Sequence, residues 1–166
     1  MPEETPSAPL AYLITFTSYG TWLHGDPRKS VDRHHRRFSV PRIPSHVGRL
    51  HRARTELARR PVLLDAAARS AVRAAIVDTV EHRSWRLLAM NVRTNHVHTV
   101  VSAPVPPEHV ANALKANATR VMRERGLWQE SASPWTKGAS TRYLWNSYSV
   151  ECAVNYVLYR QGPDLP

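Results

Sequence analysis

Two apolar, strand-like runs separated by only three residues constrain the fold of this chain most strongly. They are "WRLLAMNV" at 85–92 and "HVHTVVSA" at 96–103. Short runs rich in β-branched and aromatic residues, joined by so short a connection, predict an antiparallel β-hairpin. We expect this hairpin to form part of the sheet on which the helices of the chain pack.

A strand and a helix are predicted before the hairpin. The run "LAYLITFT" at 10–17 is typical of a buried first strand. Val72, Ile76 and Val80 recur at i, i+4 and i+8, which predicts an amphipathic helix. Asp65 is its expected N-cap, and the helix should end near His82.

Two helices and a strand are predicted after the hairpin. They are a helix from Pro106 to Arg125 that stops at Gly126, a strand from Thr141 to Trp145, and a final helix, "VECAVNYVLYRQ", capped by Ser147 or Ser149 and ended by Gly162-Pro163. The element order predicts an α+β fold, an antiparallel sheet of about four strands with helices packed on one face.

The segment at 18–49 has no sustained apolar period and should be mostly irregular. Loops beyond about 12 to 15 residues are usually functional or disordered, so we expect this one to line a site. Residues 1–9, "MPEETPSAP", are predicted to be a disordered lead-in. The length then favours a single domain over residues 10–166.

The charge balance points to a polyanionic partner. Lys and Arg total 23 against 13 Asp and Glu, a formal net charge of +10, and arginine suits phosphate oxygens particularly well. A solvated basic surface is the alternative. The lone Cys152 and the lack of an apolar run of about 20 residues predict a cytoplasmic protein with no membrane partner.

A histidine pair lies within the second run of the hairpin. Side chains alternate along a strand, so His96 and His98 should project from the same face, about 7 Å apart along the strand. Imidazoles bind Mn, Zn, Co or Ni, and also Mg when oxygen ligands complete the shell. Alternatively, both are partly exposed sheet residues that neighbouring groups satisfy.

A two-histidine metal site leaves coordination positions open, which suits activation of a phosphate. With the positive charge, the simplest chemistry is phosphodiester cleavage in a nucleic acid. The nucleophile is either water or a side chain of the last helix, where Tyr156 and Tyr159 lie three residues apart. A tyrosine hydroxyl has a pKa of about 10, so attack needs a nearby cation. Packing roles for both tyrosines are the alternative.

Four segments together resemble a known family. They are "AYLITFTSYGTWLHGD", "RTNHVHTVV", "STRYLW" and "YVLYRQG", which span the chain from about Ala11 to Gly162. They resemble the single-tyrosine HUH transposases of small insertion sequences, and most nearly the branch of REP-associated tyrosine transposases.

The resemblance implies a ferredoxin-like or RRM-like α+β sandwich, and His96 and His98 as ligands of Mg²⁺ or Mn²⁺. Tyr156 would attack single-stranded DNA with hairpin ends, and Tyr159 is the reserve nucleophile. The product would be a 5′-phosphotyrosine link and a free 3′-hydroxyl, later resolved by strand transfer. The family context implies a bacterial, nucleoid-associated protein, and both monomer and homodimer stay open.

The chain departs from the family pattern after the tyrosine. Much of the family has Gln or Asn four positions later as a metal ligand, but here Arg160 occupies that position and Gln161 follows it. Gln161 can serve only if the helix ends or unwinds at Gly162. The alternative for Arg160 is a clamp on a phosphate.

DNA contacts are expected from basic and aromatic side chains. The candidates are Lys115, Arg120, Arg123, Arg142, Arg160 and the Arg33 to Arg37 cluster for phosphates, and Trp22 or Trp135 for an unpaired base.

The sequence thus predicts a metal-dependent single-stranded DNA endonuclease and strand transferase. Two alternatives stay open: a domesticated, non-catalytic protein that binds DNA or RNA hairpins, and a metal-dependent phosphoesterase that uses water.

Overall fold

A computed structural model describes residues 7–22 and 44–166 of the chain. Within these ranges the elements, in chain order, are β1 (Ala11–Thr17), α1 (Val47–Thr55), α2 (Ala66–His82), β2 (Arg86–Val92), β3 (His96–Ser102), α3 (Pro107–Glu124), β4 (Ser140–Leu144) and α4 (Ser147–Tyr159). The predicted α+β class is confirmed. The Arg33 to Arg37 cluster, most of the long loop and the start of the lead-in lie outside the described residues.

The four strands form an antiparallel sheet in the order β2-β3-β1-β4. Read from the other edge, with α2 between β1 and β2 and α3 between β3 and β4, this is the ferredoxin-like split βαβ arrangement. The β2/β3 hairpin is formed as predicted, and β3 is a central strand. Both histidines therefore lie on a central strand of the sheet, with a neighbouring strand on each side.

Different helices cover the two faces of the sheet. On one face α2 and α3 bury Ile76 and Leu114 against Phe16 of β1. On the other face Val157 of α4 packs with Val100 of β3. The prediction that the helices lie on one face is therefore correct for α2 and α3 but wrong for α4. The apolar stripe of α4 is short, and burying Val157 contributes about 1.5 to 3 kcal/mol to its docking.

The helix starts follow local capping chemistry. The Asp65 side chain accepts a hydrogen bond from Ala68 N at 2.8 Å, so the predicted N-cap of α2 is confirmed. For α4 the N-cap is Asn146, whose side chain accepts from Ser149 N at 2.8 Å. The predicted Ser147 and Ser149 caps are wrong because the asparagine, with the same acceptor chemistry, comes first.

Helix α1 was not predicted from the sequence. It contains no buried residue, so it lacks the apolar stripe that reveals a helix in a sequence. In the part of the chain that the structure describes, no helix has the length and apolar character needed to cross a membrane.

Candidate active site

His96 and His98 lie on the same face of the sheet, the face that α4 covers. Their ring centroids are 4.7 Å apart, with the planes at 73°. His98 is only 4% exposed, and His96 is half-buried. In the sheet register His98 lies between Thr15 of β1 and Asn91 of β2. Strand alternation thus brings both imidazoles to one place, as predicted.

Each imidazole is held through its Nδ1 atom. His98 Nδ1 lies 2.6 Å from Thr15 Oγ1, and His96 Nδ1 lies 2.7 Å from Asn95 Oδ1. The amide oxygen of Asn95 can only accept, so His96 donates this bond from Nδ1. In the neutral ring the proton then sits on Nδ1, and Nε2 carries the lone pair. Histidine ligands of metals typically have one nitrogen held in this way.

Asn95, the residue before His96, is held by hydrogen bonds from the segment that follows β1. The carbonyl oxygen of Asn95 accepts hydrogen bonds from Ser18 N at 2.9 Å, from Ser18 Oγ at 3.2 Å and from Thr21 Oγ1 at 3.3 Å. The next residue, Trp22, lies edge-on to His96 with ring centroids 5.6 Å apart. These bonds bring the start of the long loop to the histidine pair, where Trp22 was expected to contribute.

The two candidate tyrosines of α4 are placed differently. The Tyr156 ring lies 5.5 Å from the His98 ring, centroid to centroid, at an angle of 73°. Tyr156 is 38% exposed and Tyr159 is 76% exposed. The structure therefore brings Tyr156 against the histidine pair of its own chain while its side chain stays accessible to a macromolecule.

Four rings accordingly follow one another across this face. Trp22, His96, His98 and Tyr156 are successive neighbours, each pair with centroids between 4.7 and 5.6 Å apart. The row combines two imidazoles, an accessible phenol and an indole; imidazoles are common metal ligands, and an indole can stack on a base. Among the described residues, no group of three His, Cys, Asp or Glu side chains could hold a metal ion. A metal ion at the two imidazole nitrogens would need further ligands, such as oxygen atoms from elsewhere.

Helix α4 ends before Gly162, which is the condition for Gln161 to serve as a metal ligand. The helix ends at Tyr159, and Gly162 has a φ of +84°, a left-handed conformation that favours glycine. Gln161 Nε2 donates to the Tyr156 carbonyl at 3.1 Å. The amide is thereby held at the end of α4 through its nitrogen, and its oxygen is the atom that a metal ion would use.

Three of the side chains predicted to contact DNA make contacts within the protein, and of these Arg123 is still exposed. Lys115 Nζ donates to the carbonyls of Thr136 and Gly138, each at 2.8 Å, and burial lowers the pKa of this lysine. One guanidinium nitrogen of Arg123 donates to two loop carbonyls, each at 2.9 Å. Trp135 is 3% exposed, lying edge-on to Phe16. All three hold the loop between α3 and β4 against the body of the protein.

The other basic candidates lie at the surface. Arg120 pairs with Glu124 at 2.7 Å one helical turn away, and Arg160 is exposed at the end of α4. Arg142 of β4 pairs in register with Leu13, which places it on the same face as the histidines. These positions are compatible with phosphate contacts.

Helix α1 adds a basic surface that the sequence reasoning missed. Its half-buried positions are Leu50 and Ala53, and its exposed arginines are Arg49, Arg52 and Arg54. Only the run of arginines without an acidic residue between 47 and 55 could have signalled it.

Tyr19 connects the segment after α1 to the loop that leads to the candidate site. Its hydroxyl accepts from Ala58 N at 3.1 Å, and the Arg59 guanidinium lies 4.1 Å from the centre of its ring. The segment that follows α1 is therefore fixed to the loop that leads to Trp22.

Comparison with known proteins identifies the class to which this fold and site belong. Residues 48–158 match the family model described as "Transposase IS200 like". The match covers more than half of the chain, which therefore belongs to the IS200-like transposase family, and the resemblance noted from the sequence is confirmed. No curated protein matches the chain.

Two solved structures share the fold. A REP-associated tyrosine transposase bound to a REP hairpin matches with a TM-score of 0.52 and 12% identity, over 90% of this chain and 65% of that one. A candidate transposase from Deinococcus radiodurans R1 matches with a TM-score of 0.50 and 10% identity, over 93% of each chain. The present chain thus spans less than two thirds of the REP-associated transposase, and these likenesses concern the fold alone.

Proposed function

We propose that this IS200-like transposase cleaves and rejoins single-stranded DNA through Tyr156, with Mg²⁺ or Mn²⁺ held by His96 and His98. The observation that carries the proposal is the 5.5 Å separation between the Tyr156 and His98 rings within one chain. It joins the expected nucleophile and the expected metal ligand without a second protomer.

The donor set of the site supports the metal. Both imidazoles have an oxygen atom at hydrogen-bond distance from Nδ1. A ring that donates this bond from Nδ1 has Nε2 as its metal-binding nitrogen. Gln161 Oε1, the substrate phosphate and water are the further oxygen donors, a set that suits Mg²⁺ or Mn²⁺. A bound divalent ion would polarise the scissile phosphate and favour the ionised form of a neighbouring phenol.

Cleavage exchanges one bond to the scissile phosphorus for another. The Tyr156 oxygen, having lost its proton to solvent, forms a bond to the scissile phosphorus, and the bond from phosphorus to the 3′-oxygen breaks. The 3′-oxygen takes up a proton and leaves as a free hydroxyl. A 3′-hydroxyl that later attacks the 5′-phosphotyrosine releases Tyr156 and joins the strands.

Substrate binding would use Trp22 and the basic surfaces. Trp22 beside His96 suits stacking on an unpaired base. Arg142 on the histidine face and the arginines of α1 suit the phosphates on either side of the cleaved bond. A DNA hairpin as partner is supported by the fold shared with the hairpin-bound REP transposase.

An end-labelled oligonucleotide tests the reaction. The protein is incubated with Mn²⁺ and a single strand carrying a hairpin, labelled at either its 5′ or its 3′ end. We expect a denaturation-resistant adduct that carries only the 3′ label, because tyrosine retains the 5′-phosphate of the downstream fragment. A chelator should prevent it, and a fully paired oligonucleotide should not form it.

Other outcomes would refute the proposal in different ways. Cleavage without an adduct would indicate a phosphoesterase that uses water. Binding of the hairpin without cleavage would indicate a non-catalytic hairpin-binding protein.

A further inference from the structure

Asn91 connects the two halves of the candidate site. It lies on β2 directly opposite His98, so the two side chains share a face of the sheet. Its Nδ2 atom donates a hydrogen bond to the carbonyl oxygen of Val157, the residue that follows Tyr156, at 3.1 Å. One side chain thus adjoins the histidine strand and holds the tyrosine helix.

This bond satisfies a carbonyl at the end of α4. The last four carbonyls of a helix lack helical partners and need others. That of Tyr156 accepts from Arg160 N and Gln161 Nε2, both local. That of Val157 accepts from Asn91, a residue of the sheet. The C-terminal end of α4 is therefore capped by β2, a strand of the same sheet that carries the histidines.

The apolar contacts of α4 define its orientation less closely. Ala153 and Val157 pack against Ala89 and Val100, and burial of apolar surface is not directional. A hydrogen bond weakens steeply with misalignment, so it fixes rotation and sliding of the helix. Arg93 of the same hairpin adds a second tie, since its NH1 donates to the Pro163 carbonyl at 2.7 Å.

We propose that Asn91 is a positioning residue that holds α4 in the orientation that keeps Tyr156 against His98. Its effect on catalysis rests on the proposed function, whereas its effect on the orientation of Tyr156 does not.

The orientation is tested first, without substrate or metal. The full chain carries 3-fluorotyrosine at position 156, and its ¹⁹F spectrum is compared between the wild type, Asn91→Leu and Asn91→Asp. Both variants remove the donor, and aspartate keeps the shape. The matched control is Asn117→Leu, since Asn117 Nδ2 makes an equally long bond of 3.1 Å to the Ala113 carbonyl within α3.

We expect a single narrow wild-type resonance, the same resonance in the control, and a shifted or broadened one in both Asn91 variants. Unchanged spectra in the Asn91 variants overturn the proposal. If neither variant folds, the wild type decides: nuclear Overhauser contacts between the Asn91 side-chain amide and Val157 or Leu158 support the proposal, and their absence overturns it.

Cleavage kinetics provide the second readout. Misplacing a nucleophile by about 1 Å can cost about a hundredfold in rate, so we expect kcat for adduct formation to fall by about tenfold to a hundredfold in Asn91→Leu, with KM unchanged. A rise in KM alone, or wild-type kcat, overturns the positioning role. If the wild type forms no adduct, the proposed function fails, while the fluorine spectra still decide whether Asn91 orients α4.

Discussion

Tyr156 of α4 and His98 of β3 lie against each other within a single chain, with ring centroids 5.5 Å apart. The contact exists because α4 packs on the face of the sheet opposite to α2 and α3. The packing of Val157 on Val100 and the bond from Asn91 bring the helix to this position.

Thr15 should tune the affinity of the histidine pair for metal. Thr15→Val removes the hydroxyl that lies 2.6 Å from His98 Nδ1, and loss of such a partner typically weakens metal affinity or activity by about 10- to 100-fold. We expect Mn²⁺ to bind about that much more weakly, as measured by calorimetry or by the spin resonance of free Mn²⁺.

Thr17→Val is the control for this change. Thr17 is the next residue of β1 on the same face, but its hydroxyl donates to Thr136 Oγ1 at 3.2 Å. Equal Mn²⁺ affinity in the two valine variants would mean that Thr15 does not support a metal ligand.

The contribution of Lys115 to the free energy of unfolding should increase at alkaline pH. Burial lowers the pKa of Lys115 from 10.5, so the unfolded chain keeps this proton to higher pH than the folded chain does. Between the lowered pKa and 10.5, the Lys115 contribution to the free energy of unfolding should therefore rise with pH.

Urea denaturation of the wild type and of Lys115→Met measures this contribution. The variant should be less stable by about 1 to 3 kcal/mol, because two loop carbonyls lose their donor. The difference between wild type and variant should grow as the pH approaches 10.5. A difference that is constant or shrinks over that range would contradict the prediction.

The arginines of α1 should contribute to DNA binding through charge. Arg49→Ala with Arg52→Ala should weaken binding of a single strand and reduce the slope of log K against log salt concentration by about 0.7 per lost phosphate contact. Arg83→Ala with Arg86→Ala removes the same charge near Ser102, at the end of β3 away from His96. An equal loss in both double variants would indicate a general charge effect and no phosphate-binding role for α1.

Local signals explain what the sequence could predict. The alternation of β2 and β3, the Asp65 cap and the apolar stripe of α2 depend on neighbours within a few residues, and all are confirmed. Helix α1 has no buried face and was missed. The family pattern implies that Tyr156 acts with the histidine pair but leaves open whether the two belong to one chain, and the residue roles at the site remain predictions.

Long-range relationships explain what the sequence could not provide. Thr15 and Asn91 flank His98 only through the register of two strand pairs, which no local pattern specifies. Lys115 and Trp135 were assigned to DNA because a basic or aromatic residue in a sequence does not reveal burial. In the structure Trp135 belongs to the loop between α3 and β4 and is buried against Phe16. The ammonium group of Lys115 donates to two carbonyls of the same loop, which pairs with Ser18 after β1 through a bridge at Trp135.

The most direct test of the central claim compares Tyr156→Phe with Tyr159→Phe in the assay with the 3′-labelled hairpin oligonucleotide and Mn²⁺. Phenylalanine keeps the ring and its contact with His98 but removes the attacking oxygen. We predict that Tyr156→Phe abolishes the denaturation-resistant adduct while hairpin binding persists, and that Tyr159→Phe retains it. An adduct that survives in Tyr156→Phe, or that only Tyr159→Phe abolishes, would contradict the assignment of Tyr156 as the nucleophile.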